Sequence, residues 1–339
     1  MYCKKLSAGK HSSFFIDDYG WVWAIGQNQI GELGVGHYVK KVVQIEKIVT
    51  QSSDENERFT SVAARECISL FLNEEGMVRM SGGYIQNKLG RNEAVLLPGL
   101  ERILEIGAGN GFSLFLDYSG DVWRHGEFCG TSDIPKKIDN ISRVRTMATG
   151  SCFAIFIDSE GCVWKLESDE ELVKIHTTPS IEAISAGISH ALLLDSSGQV
   201  WGHGSNALHQ LAIPNKARVV KTERISELPS EPIKSISCGN YHSLFVTEHG
   251  DVWACGDNRT GALGLGDVEV RFDVEKIPNL PPIMDVAASS HSLFVDVDGY
   301  VWGCGSVLPE IRPSPQKLSP SFKILQEKEA PNLKSARKN

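Results

Sequence analysis

The chain has 339 residues, of which 34 are basic and 42 are acidic, so its formal net charge is −8. An apolar fraction of 41 % and a charged fraction of 22 % are ordinary for a globular protein and exclude a disordered chain, a collagen and a coiled coil. Because the acidic balance offers no basic footprint for phosphate backbones, we expect no direct contact with nucleic acid.

The sequence carries no recognisable targeting signal. Residues 1–10 lack the apolar core of a secretory signal, and no stretch is apolar for long enough to span a membrane. We therefore expect a protein of the cytoplasm or nucleus that contacts no membrane. The cysteines fit a reducing compartment, because none forms a Cys-x-x-Cys pair and most lie in apolar, strand-like runs. They are Cys3, Cys67, Cys129, Cys152, Cys162, Cys238, Cys255 and Cys304.

One pattern recurs seven times along the chain. Its clearest copy runs from Gly239 to Trp253 and ends in Gly-x-Val-Trp. All seven copies keep the glycine and the valine of this Gly-x-Val-Trp motif. Six keep its tryptophan, which the second copy replaces with Arg79. Cores of constant length joined by variable connectors are typical of a structural repeat. The copies begin at Gly9, Arg65, Gly109, Gly150, Gly187, Gly239 and Ala288.

Each copy predicts a tight β-hairpin followed by two further strands. A short apolar run, such as residues 192–194, indicates a buried strand. The Asp-x-x-Gly that follows, as in residues 195–198, favours a turn, because Asp caps backbone amides and Gly adopts positive φ. Two more strands fit into each connector, for example near Lys276 and Ile283. Four strands in this length predict a propeller blade, whereas no copy shows the helical period of an α-solenoid.

We therefore predict an all-β fold, a seven-bladed β-propeller with four-stranded blades that occupies residues 1–325. Residues 3–9 parallel residues 233–239, which precede a later copy of the hairpin. Strand-like residues 316–318 and 322–325 follow the last copy. We expect the ring to be closed by N- and C-terminal strands that share one blade, which would remove free sheet edges. Residues 326–339 are polar and basic and are predicted to form a flexible tail.

The repeat resembles that of the regulator of chromosome condensation family. Its residues here read Gly-x-x-His-(Ser/Ala)-Leu, then Gly-x-Val-Trp, and in the better copies Asn-x-x-Gly-x-Leu-Gly, as in residues 258–264. The resemblance covers residues 1 to about 325 and implies a seven-bladed propeller. It also implies an activity of the family's namesake, nucleotide exchange on a Ran-type small GTPase. The third and fourth connectors are too short for the wedge that the namesake is implied to use, so no exchange residues are assigned.

Two repeated side chains allow a functional or a structural interpretation. His190, His242 and His291 share one repeat position, but propeller symmetry spreads them around the ring. We therefore predict hydrogen bonds to neighbouring strands rather than a metal site. The tryptophan beside each turn is predicted to pack between blades rather than to stack on a ligand. The glycine cluster at 107–111 lacks a following helix, so it does not predict nucleotide binding.

The sequence contains no recognisable catalytic motif. It predicts no catalytic residues, no cofactor and no metal site, and it leaves the partner-binding residues unassigned. Two acidic clusters, at residues 54–57 and 167–171, are either solvated loop charge or a docking rim for a basic partner. We predict a monomeric, non-catalytic protein-interaction propeller whose partner is a protein, with a small GTPase as one candidate. The alternative is a guanine-nucleotide exchange factor for a Ran-type small GTPase.

Overall fold

The chain folds into seven four-stranded antiparallel sheets, in a computed structural model that describes residues 3–37, 39–52, 56–83, 91–126, 134–141, 143–167, 171–176, 180–306 and 311–318. Every regular element in these ranges is a β-strand. The all-β, seven-bladed propeller predicted from the repeats is therefore confirmed.

The seven blades follow one another along the chain, each with its strands in sequence order. Blade 1 contains β1 (Cys3–Ala8), β2 (Ser12–Asp17), β3 (Val22–Gln27) and β4 (Lys41–Lys47). Blade 2 contains β5 (Phe59–Arg65), β6 (Ile68–Asn73), β7 (Val78–Gly82) and β8 (Arg91–Leu96). Blade 3 contains β9 (Ile103–Ala108), β10 (Phe112–Asp117), β11 (Val122–Gly126) and β12 (Lys136–Lys137). Blade 4 contains β13 (Val144–Thr149), β14 (Ala154–Asp158), β15 (Val163–Leu166) and β16 (Leu172–His176).

The remaining three blades repeat this order. Blade 5 contains β17 (Ile181–Ala186), β18 (His190–Asp195), β19 (Val200–Ser205) and β20 (Arg218–Arg224). Blade 6 contains β21 (Ile233–Cys238), β22 (His242–Thr247), β23 (Val252–Gly256) and β24 (Arg271–Lys276). Blade 7 contains β25 (Ile283–Ala288), β26 (His291–Asp296), β27 (Val301–Gly305) and β28 (Arg312–Lys317).

The hydrophobic core consists of seven clusters, one between each pair of neighbouring blades. The second strand of every blade is apolar on both faces, and Phe71, Phe115 and Phe245 are fully buried there. One sheet face of each blade packs against the preceding blade and the other against the following one. A strand buried on both faces therefore reads as an unbroken apolar run, as the repeat predicted.

The ring closes by packing of blade 7 against blade 1. One cluster joins Phe15 and Trp23 of blade 1 to Leu293 and Val301 of blade 7. The backbone N–H of Cys3 also donates to the carbonyl of Gly299 at 3.2 Å.

The predicted blade shared by both chain ends is wrong. Blade 1 takes all four strands from residues 3–47, and residues 312–317 complete blade 7 instead. The physical reason is local pairing, because β1 meets β2 through a short turn and reaches it before any distant strand.

Some predictions fall on residues that the structure does not describe. The strand predicted at 322–325 and the tail predicted at 326–339 lie outside the described residues, as do part of the acidic cluster at 54–57 and Cys129. Within the described ranges no helix has the length and apolarity required to cross a bilayer.

Candidate protein-interaction face

The antiparallel order of the strands gives the propeller two distinct faces. The turn between the second and third strands of each blade lies at one end, together with the loop that leads to the next blade. We call this end the hairpin face. Two other segments of each blade lie at the opposite end: the loop between its first and second strands and the segment between its third and fourth strands. We call this end the connector face.

An aspartate holds the turn on the hairpin face in five of the blades. In blade 1, Asp17 Oδ1 accepts hydrogen bonds from the backbone N–H groups of Tyr19 and Trp21 at 2.8 and 2.9 Å. Gly20 has a φ of +80° and donates its N–H to the Asp17 carbonyl at 3.1 Å. Asp17 Oδ2 accepts from Trp23 Nε1 at 2.8 Å, a bond that the sequence did not predict. The other pairs are Asp117–Trp123, Asp158–Trp164, Asp195–Trp201 and Asp296–Trp302, with N···O distances of 2.7–2.9 Å.

The repeated tryptophans pack between blades, which confirms the structural interpretation. Trp164 lies against the cluster shared by blades 3 and 4, and Trp302 lies against the cluster shared by blades 6 and 7. In five blades an aspartate of the same hairpin fixes the indole N–H, so the ring reaches the interface in one orientation. These side chains therefore build the scaffold.

Two blades depart from the aspartate–tryptophan pair. In blade 2, Asn73 and Arg79 stand at these positions, and Glu57 supplies the carboxylate. Arg79 Nε lies 2.8 Å from both Glu57 oxygens, and both side chains are 7 % exposed. In blade 6, Thr247 replaces the aspartate, and the buried Trp253 Nε1 has no hydrogen-bond partner among the described residues.

The three aligned histidines link successive blades, as predicted. The Nε2 atoms of His190, His242 and His291 lie 3.2, 2.9 and 2.9 Å from the hydroxyls of Ser243, Ser292 and Ser13 of the next blade. The hydroxyls of Ser243 and Ser292 donate to backbone carbonyls, so the histidine nitrogens donate to them. Burial lowers the pKa of His190 and of His291 to about 3 and that of His242 to about 4, so all three are neutral.

Carboxylates also close the inner edges of some blades. Glu105 of β9 accepts hydrogen bonds from Thr146 Oγ1 at 3.1 Å and from the backbone N–H of Met147 at 3.0 Å, both on β13. Asp285 of β25 interacts with the backbone amide of Leu6 on β1 in the same way. Burial raises the pKa of both carboxyl groups, and the charge of Lys5 opposes that shift. Both groups therefore join blades rather than offer an acid–base pair.

On the hairpin face, exposed carboxylates slightly outnumber exposed basic side chains among the described residues. The carboxylates are Asp18, Glu74, Glu75, Glu101, Asp139, Glu160, Glu182, Glu227, Glu248 and Asp298. The basic side chains are Lys5, Lys47, Arg58, Arg102, Arg143, Arg145, Arg224 and Lys317. Two further carboxylates there, Asp121 and Asp251, are paired with Lys137 and Lys276 at 2.6 Å.

A polar depression lies near the centre of this face. It has a volume of about 500 Å³ and is lined by the innermost strands of blades 1 to 4. Lys5, Glu74, Tyr118 and Thr146 are among its lining residues. Negative charge around a polar hollow favours the basic side chains of another protein, because complementary potentials speed and orient encounter.

The two acidic clusters noted in the sequence do not form this surface together. Glu57 is buried against Arg79, whereas Glu167 lies on the connector face and pairs with Lys165 at 2.5 Å. The docking surface instead comes from single acidic residues in successive hairpins and loops. These acidic residues can be read from the sequence, but only the strand topology shows which of their segments share a face.

The described residues contain no group of three or more His, Cys, Asp or Glu side chains placed to hold a metal ion. Cys3, Cys238, Cys255 and Cys304 are buried thiols, and burial raises the pKa of Cys3 and of Cys238 to about 12. Such thiols pack as small apolar groups, as the sequence suggested.

Comparison with known proteins identifies the repeat. Models of the regulator of chromosome condensation (RCC1) repeat match residues 197–246, 249–295 and 233–262. The chain is 34 % identical over 99 residues to the mouse X-linked retinitis pigmentosa GTPase regulator, covering 29 % of this chain and 10 % of that protein. It is 38 % identical over 87 residues to the mouse secretion-regulating guanine nucleotide exchange factor, covering 25 % of this chain and 19 % of that protein.

A solved structure supports the fold over nearly the whole chain. Prp20p from Saccharomyces cerevisiae, whose structure was described with its binding to Gsp1p and histones, aligns with a TM-score of 0.75 at 20 % identity. The alignment covers 96 % of this chain and 85 % of Prp20p. The matched repeats and the seven blades lead to one conclusion: the chain is a seven-bladed β-propeller that contains regulator of chromosome condensation repeats.

Proposed function

We propose that this propeller is a non-catalytic protein-interaction module that binds a basic protein surface through its hairpin face. The observation that carries the proposal is the excess of exposed carboxylates on that face. A rigid disc presents these groups at fixed positions, so little conformational entropy is lost on binding. We further propose that the chain acts as a monomer in the cytoplasm or nucleus and does not bind nucleic acid directly.

Charge reversal on one face tests this proposal. We expect Glu74→Lys combined with Glu75→Lys to weaken partner binding by about tenfold or more, because two attractive charges become repulsive. The matched control is Glu171→Lys combined with Glu269→Lys, which makes the same change in net charge on the connector face. Partners would be captured with the intact protein, and their affinity for each variant measured at low and high salt. Equal loss of binding in both double variants would contradict the choice of face.

The second candidate is nucleotide exchange on a small GTPase. It is favoured by the similarity to the secretion-regulating guanine nucleotide exchange factor over 87 residues. Exchange needs no covalent chemistry, since a partner that binds the nucleotide-free GTPase more tightly lowers nucleotide affinity. We would measure the release of labelled GDP from a Ran-type GTPase with and without this protein. Acceleration by several orders of magnitude would replace the first proposal, whereas an unchanged release rate together with a stable protein complex would support it.

A further inference from the structure

A buried carboxylate lies between blades 1 and 2 without a counter-ion. Glu32, in the segment between β3 and β4, is 7 % exposed. Its Oε2 accepts the backbone N–H of Ile30 at 2.9 Å, whereas its Oε1 has no hydrogen-bond partner among the described residues. No lysine, arginine or histidine in the described part of the chain forms an ion pair with it. A buried charge is costly unless a cation or several hydrogen bonds compensate it.

Other blades show that the fold does not require this carboxylate. The equivalent residues are Gln210 in blade 5 and Ala262 in blade 6. Gln210 makes the same bond, because its Oε1 accepts the backbone N–H of Leu208 at 2.9 Å. An amide would therefore serve the local turn as well as the carboxylate of Glu32 does.

Glu32 lines a polar cavity on the connector face. The cavity has a volume of about 250 Å³ and lies between blades 1 and 2. Four more of its lining side chains form no side-chain hydrogen bond with the described residues; they are His11, Ser12, Gln27 and Gln29. Unengaged donors and acceptors around a buried charge suit a small polar molecule.

A small side chain at one repeat position helps to make this space. Blades 5, 6 and 7 carry a histidine there, whereas blade 1 has Ser12, which lines the cavity. Across the interface, the buried hydroxyl of Ser69 has no hydrogen-bond partner within the described ranges. The link between histidine and serine that joins the later blades is therefore missing between blades 1 and 2.

The remaining charged groups leave the cavity negative. Lys10 and Glu66 also line it, but they pair with each other at 2.9 Å. His11 is neutral near pH 7, because burial and the charge of Lys10 lower its pKa. Burial raises the pKa of Cys67, so this thiol stays protonated. Among the lining residues, the unbalanced charge is that of Glu32.

We propose that this cavity binds a small polar organic cation, whose primary ammonium group donates to Glu32 and lies beside Ser12. An ammonium group has three N–H donors and supplies the charge that the buried carboxylate lacks. The amides of Gln27 and Gln29 would bind hydroxyl groups elsewhere on the ligand. A free amine and a lysine side chain of another protein share this chemistry. The site lies on the face opposite the proposed docking surface, so its test is independent of that function.

Ethanolamine and ethylene glycol test this proposal on the full-length protein, because the two compounds differ only in the ammonium group. Titration calorimetry and thermal unfolding would be followed at pH 7 and constant ionic strength. We expect saturable binding of ethanolamine and a rise in the unfolding midpoint, with neither effect from ethylene glycol. Equal binding of the two compounds, or no saturable binding of ethanolamine, would overturn the proposal.

Two further compounds define the cation. Tetramethylammonium carries the charge without N–H groups and should bind more weakly than ethanolamine by about tenfold or more; equal binding would refute the primary ammonium group. Nα-acetyl-lysine methylamide presents that group as a protein would. Tighter binding of this compound than of ethanolamine would assign the site to a partner's lysine, whereas weaker binding would assign it to a free amine.

Variants locate the site. Glu32→Gln should weaken ethanolamine binding by about tenfold or more, because the charge is lost while the bond to the backbone is kept. Glu269→Gln, which removes an exposed carboxylate from the same face, is the matched control and should leave binding unchanged. Ser12→His should fill the cavity, give Ser69 its missing partner and abolish binding while the protein stays folded. Unchanged binding in both Glu32→Gln and Ser12→His would place any ethanolamine site elsewhere and refute the proposal.

Discussion

At the scale of single residues, the copies share one hydrogen-bond plan, and their departures from it identify weak points. Five aspartates each bind two backbone amides and an indole N–H. Blade 2 replaces that pair with a buried ion pair between Arg79 and Glu57. Blade 6 keeps the tryptophan but not its acceptor, so the buried indole N–H of Trp253 has no hydrogen-bond partner within the described part of the chain.

Thr247→Asp should stabilise the protein by about 1 kcal/mol. The new carboxylate would accept the hydrogen bond of Trp253 Nε1, and an unpaired buried donor is costly. Asp17 occupies the equivalent position with no exposed surface, so the site tolerates the side chain. The free energy of unfolding from denaturant titrations checks the change, and Asp195→Thr should have the opposite effect. A loss of stability in Thr247→Asp would show that the hairpins are not equivalent.

Two turn glycines separate backbone strain from steric clash. Gly161 and Gly250 have φ of +80° and +87°. A Cβ on Gly161 would meet nothing within 4 Å, whereas a Cβ on Gly250 would lie 2.7 Å from the Ile283 nitrogen. We expect Gly161→Ala to cost about 1 kcal/mol, from strain alone, and Gly250→Ala to cost clearly more. Denaturant titrations of the two variants measure the difference, and equal costs would contradict the steric argument.

At the scale of structural elements, neutral histidines join blades 5, 6, 7 and 1. These imidazoles have a pKa of about 3 to 4 in the folded protein and about 6.5 in the unfolded chain. Between pH 4 and pH 6.5 the unfolded chain therefore binds more protons than the folded protein does. Their contribution to stability is complete above pH 6.5 and falls as the pH drops toward about 4. Each histidine should cost up to about 1.4 kcal/mol per pH unit in that range.

His242→Gln tests the pH dependence. Its amide can still donate to Ser292 Oγ, but it does not titrate. We expect a lower unfolding free energy at pH 7, because the packing changes, together with a shallower slope between pH 6.5 and pH 4.5. His249, an exposed histidine on the hairpin face, provides the control variant His249→Gln. If both variants kept the slope of the parent protein, the buried histidines would not be its source.

At the scale of the whole molecule, stability depends on a closed ring of interfaces. Each blade contributes to two clusters, so the loss of one blade uncovers two apolar faces. Deletion of residues 283–318, which removes blade 7, should expose the faces of blades 6 and 1 and cause aggregation. Deletion of residues 326–339 serves as the control and should leave the thermal midpoint unchanged. Light scattering and thermal melts check both outcomes, and a soluble six-bladed protein with an unchanged midpoint would contradict the ring argument.

The sequence predicts much of this architecture because the repeat combines local and periodic signals. The hairpin at residues 247–251, the packing of Trp253 and the bonding of His242 all follow from one repeated frame. The strand at which each blade begins does not follow from this frame, because in a cyclic repeat nothing distinguishes the first strand of a sheet from the others. The pair formed by Glu57 and Arg79 was also missed, although an arginine at a buried tryptophan position calls for a nearby carboxylate. The acidic face could not be recognised from sequence, because its residues lie far apart along the chain.

The indole that six of the blades carry at an equivalent site has a further use. Six blades carry one tryptophan at an equivalent site, and five of these rings donate to an aspartate, whereas Trp253 does not. In a nuclear magnetic resonance spectrum, the indole N–H signal of Trp253 should therefore stand apart from the other five. The protein thus carries a natural set of reporters, one for every blade except blade 2. Following these signals during denaturation would reveal whether the ring opens at one interface first or loses all its blades at once.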